Sequence, residues 1–408
     1  MKDVPIINSR IFSVKSRKEL LTEWSEISEI INNENEYDGS GVVSFLPLNR
    51  LNSNSEREEC LNVISKVMET GNFTSGSYIS EVEKYLCEFY QADICVATSS
   101  GTDALKIALK AAGVGHSDEV ILPLNSFAAT ENAVMAIGAI PIFANMDASY
   151  NIAPEEIERL TTPRTKAVLP VCLYGSTKNI SEVYKKAKQH NLLVIVDAAQ
   201  CFGIKNVIGY CDLMALSFNP FKNIGTVGKS GAVLTCSPEL ACRARQYSYH
   251  GFAEGKKNIK AQNWGFNSRM DNMQAATLMV KLNHFEKNAT KRAFLAARYI
   301  HSLNHLETDL SLPSERIENT WHLFPLVIKK RTRDELLQFA KKHHVELDVY
   351  YPVLSHCGVH ELATHYPDRK QFLSSERIHT NLVQLPLHNH MSLQEQDIVI
   401  EVLNEFFN

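Results

Sequence analysis

The sequence predicts an α/β protein in which helices cover a mostly parallel sheet, followed by a smaller α+β region. Three observations predict it. Short apolar runs recur at residues 94–97, 120–122, 140–143, 167–169, 192–196, 213–218 and 232–234. Most show little polar alternation, as expected of strands buried on both faces. Stretches of helical spacing, 102–112, 129–137 and 180–189, lie between several of them, which is the rhythm of strand and covering helix. The chain has 408 residues, more than one simple core needs.

The elements come in this order. Residues 1–45 form a helical extension, with Leu20, Leu21, Trp24, Ile27, Ile30 and Ile31 at helical spacing over 17–32 and a polar link over 33–40. Residues 46–285 hold the seven runs and form the large domain. A long helical stretch, 270–303, leads into a small C-terminal domain, 286–408. That domain alternates between strand-like runs at 323–328 and 345–351 and helices near 333–343 and 394–407.

Composition excludes several classes. Hydrophobic residues make up 44% and charged residues 22%, which argues against disorder. Lys plus Arg is 42 against 46 for Asp plus Glu, so no basic excess points to nucleic acid or an anionic membrane. No apolar run approaches the ~18–20 residues that span a bilayer, and residues 1–10 show no secretory leader. Nine cysteines occur with no Cys-x-x-Cys pair. They read as reduced thiols in a cytoplasmic protein rather than as a disulfide framework or zinc cluster. His343, His344, His379, His388 and His390 lack ligand spacing with a carboxylate or cysteine, so no metal is expected.

Parallel sheets bind ligands at the C-terminal ends of their strands. After residues 94–97 comes Thr98-Ser99-Ser100-Gly101-Thr102-Asp103, a polar turn opening a helix. Its free N–H groups suit a phosphate, although a Ser or Thr here also serves as a plain cap. After 192–196 comes Asp197-Ala198-Ala199-Gln200, a buried carboxylate that must find a donor or cation. After 213–216 comes Ser217-Phe218-Asn219-Pro220-Phe221-Lys222, and a lysine desolvated there becomes a nucleophile. A phosphate cup, a carboxylate and a lysine on the strand ends of one sheet match the needs of pyridoxal 5′-phosphate (PLP): an amine to hold the aldehyde, an acid to keep the ring nitrogen protonated, a cradle for the phosphate.

With these motifs, together with Asp118-Glu119-Val120-Ile121 and Gly265-Phe266-Asn267-Ser268-Arg269-Met270-Asp271, the sequence from about residue 45 onward resembles the DegT/DnrJ/EryC1/StrS family of sugar aminotransferases. The resemblance implies the aspartate-aminotransferase-like fold (type I), with a mostly parallel seven-stranded sheet, and PLP as cofactor. By position it implies Lys222 as the Schiff-base and proton-shuttle lysine and Asp197 as the pyridinium partner. Gln200 becomes a contact of the cofactor ring or its hydroxyl, and Phe127 the stacking aromatic. Ser100, Gly101, Thr102 and Ser217 become phosphate contacts. Asn267 matches a residue that reaches the neighbouring subunit's phosphate, which implies a homodimer with shared sites. The family commonly has Glu before the pyridinium Asp; here it is Val196. Tyr350, Tyr351, His356, His250 and Arg269 are the expected substrate contacts.

The extension and the segments 248–252, 321–325 and 349–356 are similar to a branch of the family that aminates a 3-keto hexose 6-phosphate with glutamate. That similarity implies conversion of 3-oxo-glucose 6-phosphate to kanosamine 6-phosphate, a step of antibiotic and amino-sugar biosynthesis. The alternatives left open are a nucleotide-linked keto sugar and a non-catalytic PLP-binding sensor. A sugar dehydratase of this fold would carry His in place of Lys222. Gly228-Lys229-Ser230 mimics the end of a P-loop, but the upstream glycine would fall at Asn223 and a strand comes next.

Overall fold

The structure is a computed structural model and describes residues 17–35, 39, 41–256, 258–313, 319–357 and 369–408, with backbone only for 17–24. Residues 1–16, half of the polar link and the side chains of Leu20, Leu21 and Trp24 lie outside the described residues.

All seven apolar runs become strands: β1 (Ile94–Thr98), β2 (Glu119–Pro123), β3 (Ile140–Ala144), β4 (Thr165–Val168), β5 (Leu193–Asp197), β6 (Leu213–Ser217) and β7 (Gly231–Thr235). They form one sheet in the order β1-β7-β6-β5-β4-β2-β3. β7 is antiparallel to both its neighbours, and the other pairs are parallel. β2, β6 and β7 are buried at every residue, which is why their sequences carry no polar alternation.

The helices, in chain order, are α1 (Arg17–Glu34), α2 (Asn54–Thr70), α3 (Ser77–Tyr90), α4 (Gly101–Ala111), α5 (Ala128–Ala136), α6 (Glu155–Leu160), α7 (Ile180–Gln189), α8 (Pro238–Ser248), α9 (Asn272–Leu303), α10 (Arg333–Lys342), α11 (Leu373–Thr380) and α12 (Leu393–Phe407). On one face of the sheet, α3 and α7 pack with Val194, Val196, Met214 and Leu216. On the other, α4 and α5 pack with Ile195, Leu213 and Ala215. Phe202 anchors the first face, with ring centroids 4.7–5.9 Å from those of Phe285, Phe89, Tyr90 and Phe218. Such aromatic pairs contribute beyond the area they bury.

The C-terminal region has a three-stranded antiparallel sheet of β8 (Leu310–Ser311), β9 (Phe324–Ile328) and β10 (Leu382–Leu385), in the order β10-β9-β8. The expected run at 345–351 forms no strand. Val345 and Asp348 make single bridges to Val43 and Gln384, because the segment turns away to carry Tyr350 and Tyr351 toward the large sheet. Helix α9 serves both cores: Leu278, Leu282 and Phe285 pack into the first, and Ala293 to Leu303 into the second. We propose the division at 285/286 on this change of packing partner.

Helix α1 runs two residues beyond its expected end, and its Ile27 and Ile31 pack into the C-terminal core. The extension is held there by charge as well. The Lys291 ammonium, 1% exposed, donates to Glu34 Oε2 at 2.5 Å and to Asn35 Oδ1 at 3.2 Å. Burial lowers the Lys291 pKa and Glu34 opposes that shift. Removing the carboxylate with Glu34→Ala should cost about 1.5–3 kcal/mol, the worth of a hydrogen bond to a buried charge. Urea unfolding of the two proteins measures this, and adding Lys291→Met to Glu34→Ala should recover most of the loss.

Candidate active site

Three strands end side by side at one edge of the sheet. β1 ends at Thr98, β6 at Ser217, and Gly231, the first residue of the reversed strand β7, pairs with both. A Cβ on Gly231 would lie 2.6 Å from the Ser100 carbonyl oxygen and 2.7 Å from that of Leu216. Only glycine lets the two strand ends approach so closely. Beyond Thr98, Ser100 caps α4, its hydroxyl accepting from the Asp103 N–H at 3.1 Å. The N–H groups of Gly101 and Thr102 are left at the positive end of the helix. Gly101 faces Ser217 so closely that a Cβ would sit 2.5 Å from the Ser217 Cβ. Ser100, Gly101, Thr102 and Ser217, far apart in the sequence, therefore form one cradle with anion-binding chemistry.

Asp197 closes β5, is 5% exposed, and lies beside this cradle in the sheet order. Its carboxylate accepts from the Thr130 hydroxyl at 2.9 Å and from the Ala199 N–H at 3.1 Å. Burial raises its pKa, while the Ala199 N–H, Lys222 and Thr130 hold it down. Lys222 sits in the loop after β6. Burial lowers its pKa and Asp197 raises it. Desolvation dominates for both groups, so each is biased toward its neutral form.

Gln200 ties the two halves of the chain together. Its Oε1 accepts from the Tyr174 N–H at 2.7 Å, and its Nε2 donates to the Tyr351 hydroxyl at 3.2 Å. The Tyr351 ring lies 5.5 Å from that of Phe127, which is half exposed at the start of α5. Burial, then the Asp197 charge, raises the Tyr351 pKa. Tyr350 packs on Phe45 at 5.6 Å, and its carbonyl accepts from the buried Tyr174 hydroxyl.

Other expected contacts are placed differently. His356 is buried, with Nε2 bonded to Glu376 at 2.8 Å and its ring against Phe372. Its Nδ1 is buried without a partner, and the bond to the Tyr351 carbonyl is made by His379 Nε2 at 2.6 Å instead. With Cys357 and Glu376, His356 makes a group of potential ligand atoms within 4.8 Å of one another, a convergence that sequence spacing does not suggest. The Arg269 guanidinium lies 3.7 Å over the Tyr249 ring, and His250 packs between Tyr249 and Phe252. Asn267 is exposed and bridges to Tyr249. Sequence reasoning misses Thr130, Tyr174, His322 and Arg292. Thr130 lies one helical turn beyond Phe127, and that spacing is the available signal.

PLP fits these residues. The cradle that a Cβ would fill offers N–H and hydroxyl donors to a phosphate. The buried carboxylate has only neutral donors bonded to it, so it can serve a protonated ring nitrogen. The lysine is the amine.

Comparison with known proteins decides the family. The pattern of the DegT/DnrJ/EryC1/StrS aminotransferase family matches residues 54–404. The chain belongs to this family. It is a PLP-dependent aminotransferase of fold type I. The 3-oxo-glucose-6-phosphate:glutamate aminotransferase of Bacillus subtilis is 41% identical over 390 residues, covering 95% of this chain and 88% of that protein. A dTDP-3-amino-3,6-dideoxy-alpha-D-galactopyranose transaminase from Aneurinibacillus thermoaerophilus is 31% identical, covering 90% and 99%. The crystal structure of NtdA from Bacillus subtilis with bound PMP superposes with a TM-score of 0.90 at 39% identity, covering 95% of this chain and 92% of that one.

The raised Asp197 pKa fixes the sign of a test. A group whose folded pKa lies above its unfolded value of about 3.9 favours the fold when protonated, and that contribution is lost as pH rises through the folded pKa. At neutral pH the apo fold therefore carries the penalty of the ionised carboxylate. Asp197→Asn should leave the cofactor-free protein at least as stable at pH 7 as the unsubstituted one. Turnover should nevertheless fall by about 10²-fold or more. Thermal unfolding without cofactor, set beside steady-state rates with it, checks both parts.

Proposed function

We propose that this protein transfers the amino group of glutamate to the keto carbon of 3-oxo-glucose 6-phosphate, giving kanosamine 6-phosphate and 2-oxoglutarate. The observation that carries the chemistry is the half-buried Lys222 placed within the field of Asp197 beside the Gly101–Ser217 cradle. Similarity over nearly the whole chain to the Bacillus subtilis glutamate aminotransferase supports the choice of sugar.

When bound, PLP supplies an aldehyde that exchanges amines and a ring that accepts electrons. The chain's residues do the rest. Lys222, kept toward its free-base form by burial, removes the proton from the α-carbon of glutamate. In the second half it returns a proton to the sugar carbon that gains nitrogen. Asp197 holds a proton on the ring nitrogen, and Thr130 and the Ala199 N–H hold Asp197. Gly101, Thr102, Ser100 and Ser217 bind the phosphate. Phe127 and Tyr351 close over the site, with Gln200 fixing the Tyr351 hydroxyl.

We read the active unit as a homodimer, with the exposed Asn267 reaching the partner's cradle. The setting is read as cytoplasmic on the strength of nine free cysteines. Among the described residues no helix is long and apolar enough to cross a membrane.

The second reading, a nucleotide-linked keto sugar, is favoured by the similarity to the dTDP-sugar transaminase. A half-reaction separates the two. The protein is converted with glutamate to the amine form of the cofactor, freed of small molecules, and mixed with 3-oxo-glucose 6-phosphate or with a dTDP-linked 3-keto sugar. Return of the aldehyde absorbance with the first supports the proposal, and return with the second alone refutes it. Lys222→Ala should slow both halves by about 10²–10⁴-fold, so a variant that still turns over normally would remove Lys222 from its role.

A further inference from the structure

A cavity of about 380 Å³ opens beside Lys222, between the chain leading into α2, the lysine loop and α9. Its polar wall includes Asn52, Lys222, Lys281, Asn288, Arg292 and Asn389, and among the described residues no carboxylate lines it. The Ser217–Gly101 cradle is not part of this wall, so an anion held here is not the phosphate of the cofactor.

Arg292 is the unusual member. Its side chain is nearly inaccessible, at 4% exposure. Nη1 donates to the carbonyls of Trp321, His322 and Leu387 at 3.0, 3.2 and 2.8 Å, and Nε donates to Asn389 Oδ1 at 3.1 Å. Every one of these acceptors is neutral. Among the described residues no carboxylate lies within ion-pairing distance of the guanidinium, and Nη2 has no acceptor. Lys281 differs, because Glu56 meets it at 3.0 Å. A buried charge without a counter-ion is expensive. Consistently, burial with no opposing acid pushes the Arg292 pKa down to about 10, and the same guanidinium, with Lys222 and burial, keeps the neighbouring His322 neutral.

We propose that Arg292, assisted by the asparagines around it, is the subsite for the phosphate of the sugar substrate. The inference rests on the sugar-phosphate reading above and names where that phosphate sits. A guanidinium with a free N–H edge facing a cavity presents donors suited to phosphate or carboxylate. Both substrates of the reaction carry such groups, and the extent of the wall favours the phosphate. Lys281 and Arg292 are eleven residues apart on one helix, about 16 Å at 1.5 Å per residue. The α-carboxylate of glutamate is bonded to the reacting carbon, and its γ-carboxyl carbon lies three bonds from it. The phosphorus of a 6-phosphate lies five bonds from carbon 3, so the phosphate is the group that reaches furthest along this wall.

Asn389→Asp tests the site without dismantling it. The new carboxylate keeps the bond from Arg292 Nε and supplies the missing counter-charge, so the fold keeps its contacts while the guanidinium is neutralised. Calorimetric titration of the PLP-loaded protein with glucose 6-phosphate and with glucose gives the readout. In the unsubstituted protein glucose 6-phosphate should bind about tenfold or more tighter than glucose, and Asn389→Asp should erase that difference while glucose affinity stays put. Arg292→Lys, which keeps the charge and removes the fork, should lose part of it and serves if Asn389→Asp does not fold. Tight glucose 6-phosphate binding that neither variant weakens would place the phosphate elsewhere and overturn the subsite while sparing the sugar-phosphate reading. Loss of glutamate affinity alone would reassign Arg292 to the donor. No preference for glucose 6-phosphate over glucose, with a dTDP-linked sugar binding well, would overturn the substrate reading and the subsite together.

Discussion

The site depends on keeping two opposite charges, Asp197 and Lys222, in a place too dry for either. Each attracts the other, yet burial is the larger influence on both. An ordinary ion pair would settle the matter by drawing them together, and an ordinary core would exclude them. Here the carboxylate is satisfied by Thr130 and the Ala199 N–H instead, leaving the lysine amine unpaired with it. That separation is what an amine nucleophile requires: close enough to share a field, not so close that it is held as an ammonium. A cation arriving at Asp197 relieves its burial penalty, which is how a protonated ring nitrogen would be selected over a neutral one.

The frame that makes this possible is the reversal of β7. Because β7 runs against its neighbours, its first residue, Gly231, lies at the edge where β1 and β6 finish. The absence of a side chain there brings the Ser100 and Leu216 carbonyls within van der Waals reach of its Cα. The same close approach sets Gly101 against Ser217. A reversed strand and two glycines thus put helix dipole, hydroxyl, carboxylate and lysine on one edge without any of them needing a long side chain to arrive.

Much of this edge is legible in the sequence because strands buried on both faces announce themselves as unbroken apolar runs, and the residues just after each parallel run must then lie at the edge. The seven strands, the cradle, Asp197 and Lys222 are all legible in that way. Tyr174, His322 and Arg292 are not, and Thr130 is only through its spacing from Phe127, for a common reason: each acts on a partner tens of residues away or more, across a packing interface. Thr130 meets Asp197 from a helix 67 positions earlier. The run at 345–351 misleads for the opposite reason. Val345 and Leu347 pack into the C-terminal core without joining its sheet, and the residues after them place Tyr350 and Tyr351 beside Phe45 and Phe127. His356 is bonded to Glu376 and packed against Phe372, contacts between segments that the sequence alone does not pair.

On the proposed reading, the charge of the cavity bears on which substrate it takes. Around Lys222 the nearby ionisable groups are unequal: among the described residues Asp197 is the acid that acts on it, Arg292 has no carboxylate within ion-pairing distance, and His322 is held neutral by burial first and then by Lys222 and Arg292. A neutral imidazole is the cheaper state there because a third cation would have no counter-charge. The pocket therefore stays deficient in negative charge, and its substrates are the natural source of it. On the same reading, glutamate brings carboxylates in the first half-reaction and takes them away as 2-oxoglutarate, so the deficiency returns just when the second substrate must enter. A sugar carrying its own phosphate meets that condition, whereas an uncharged sugar would have to bind beside an uncompensated guanidinium.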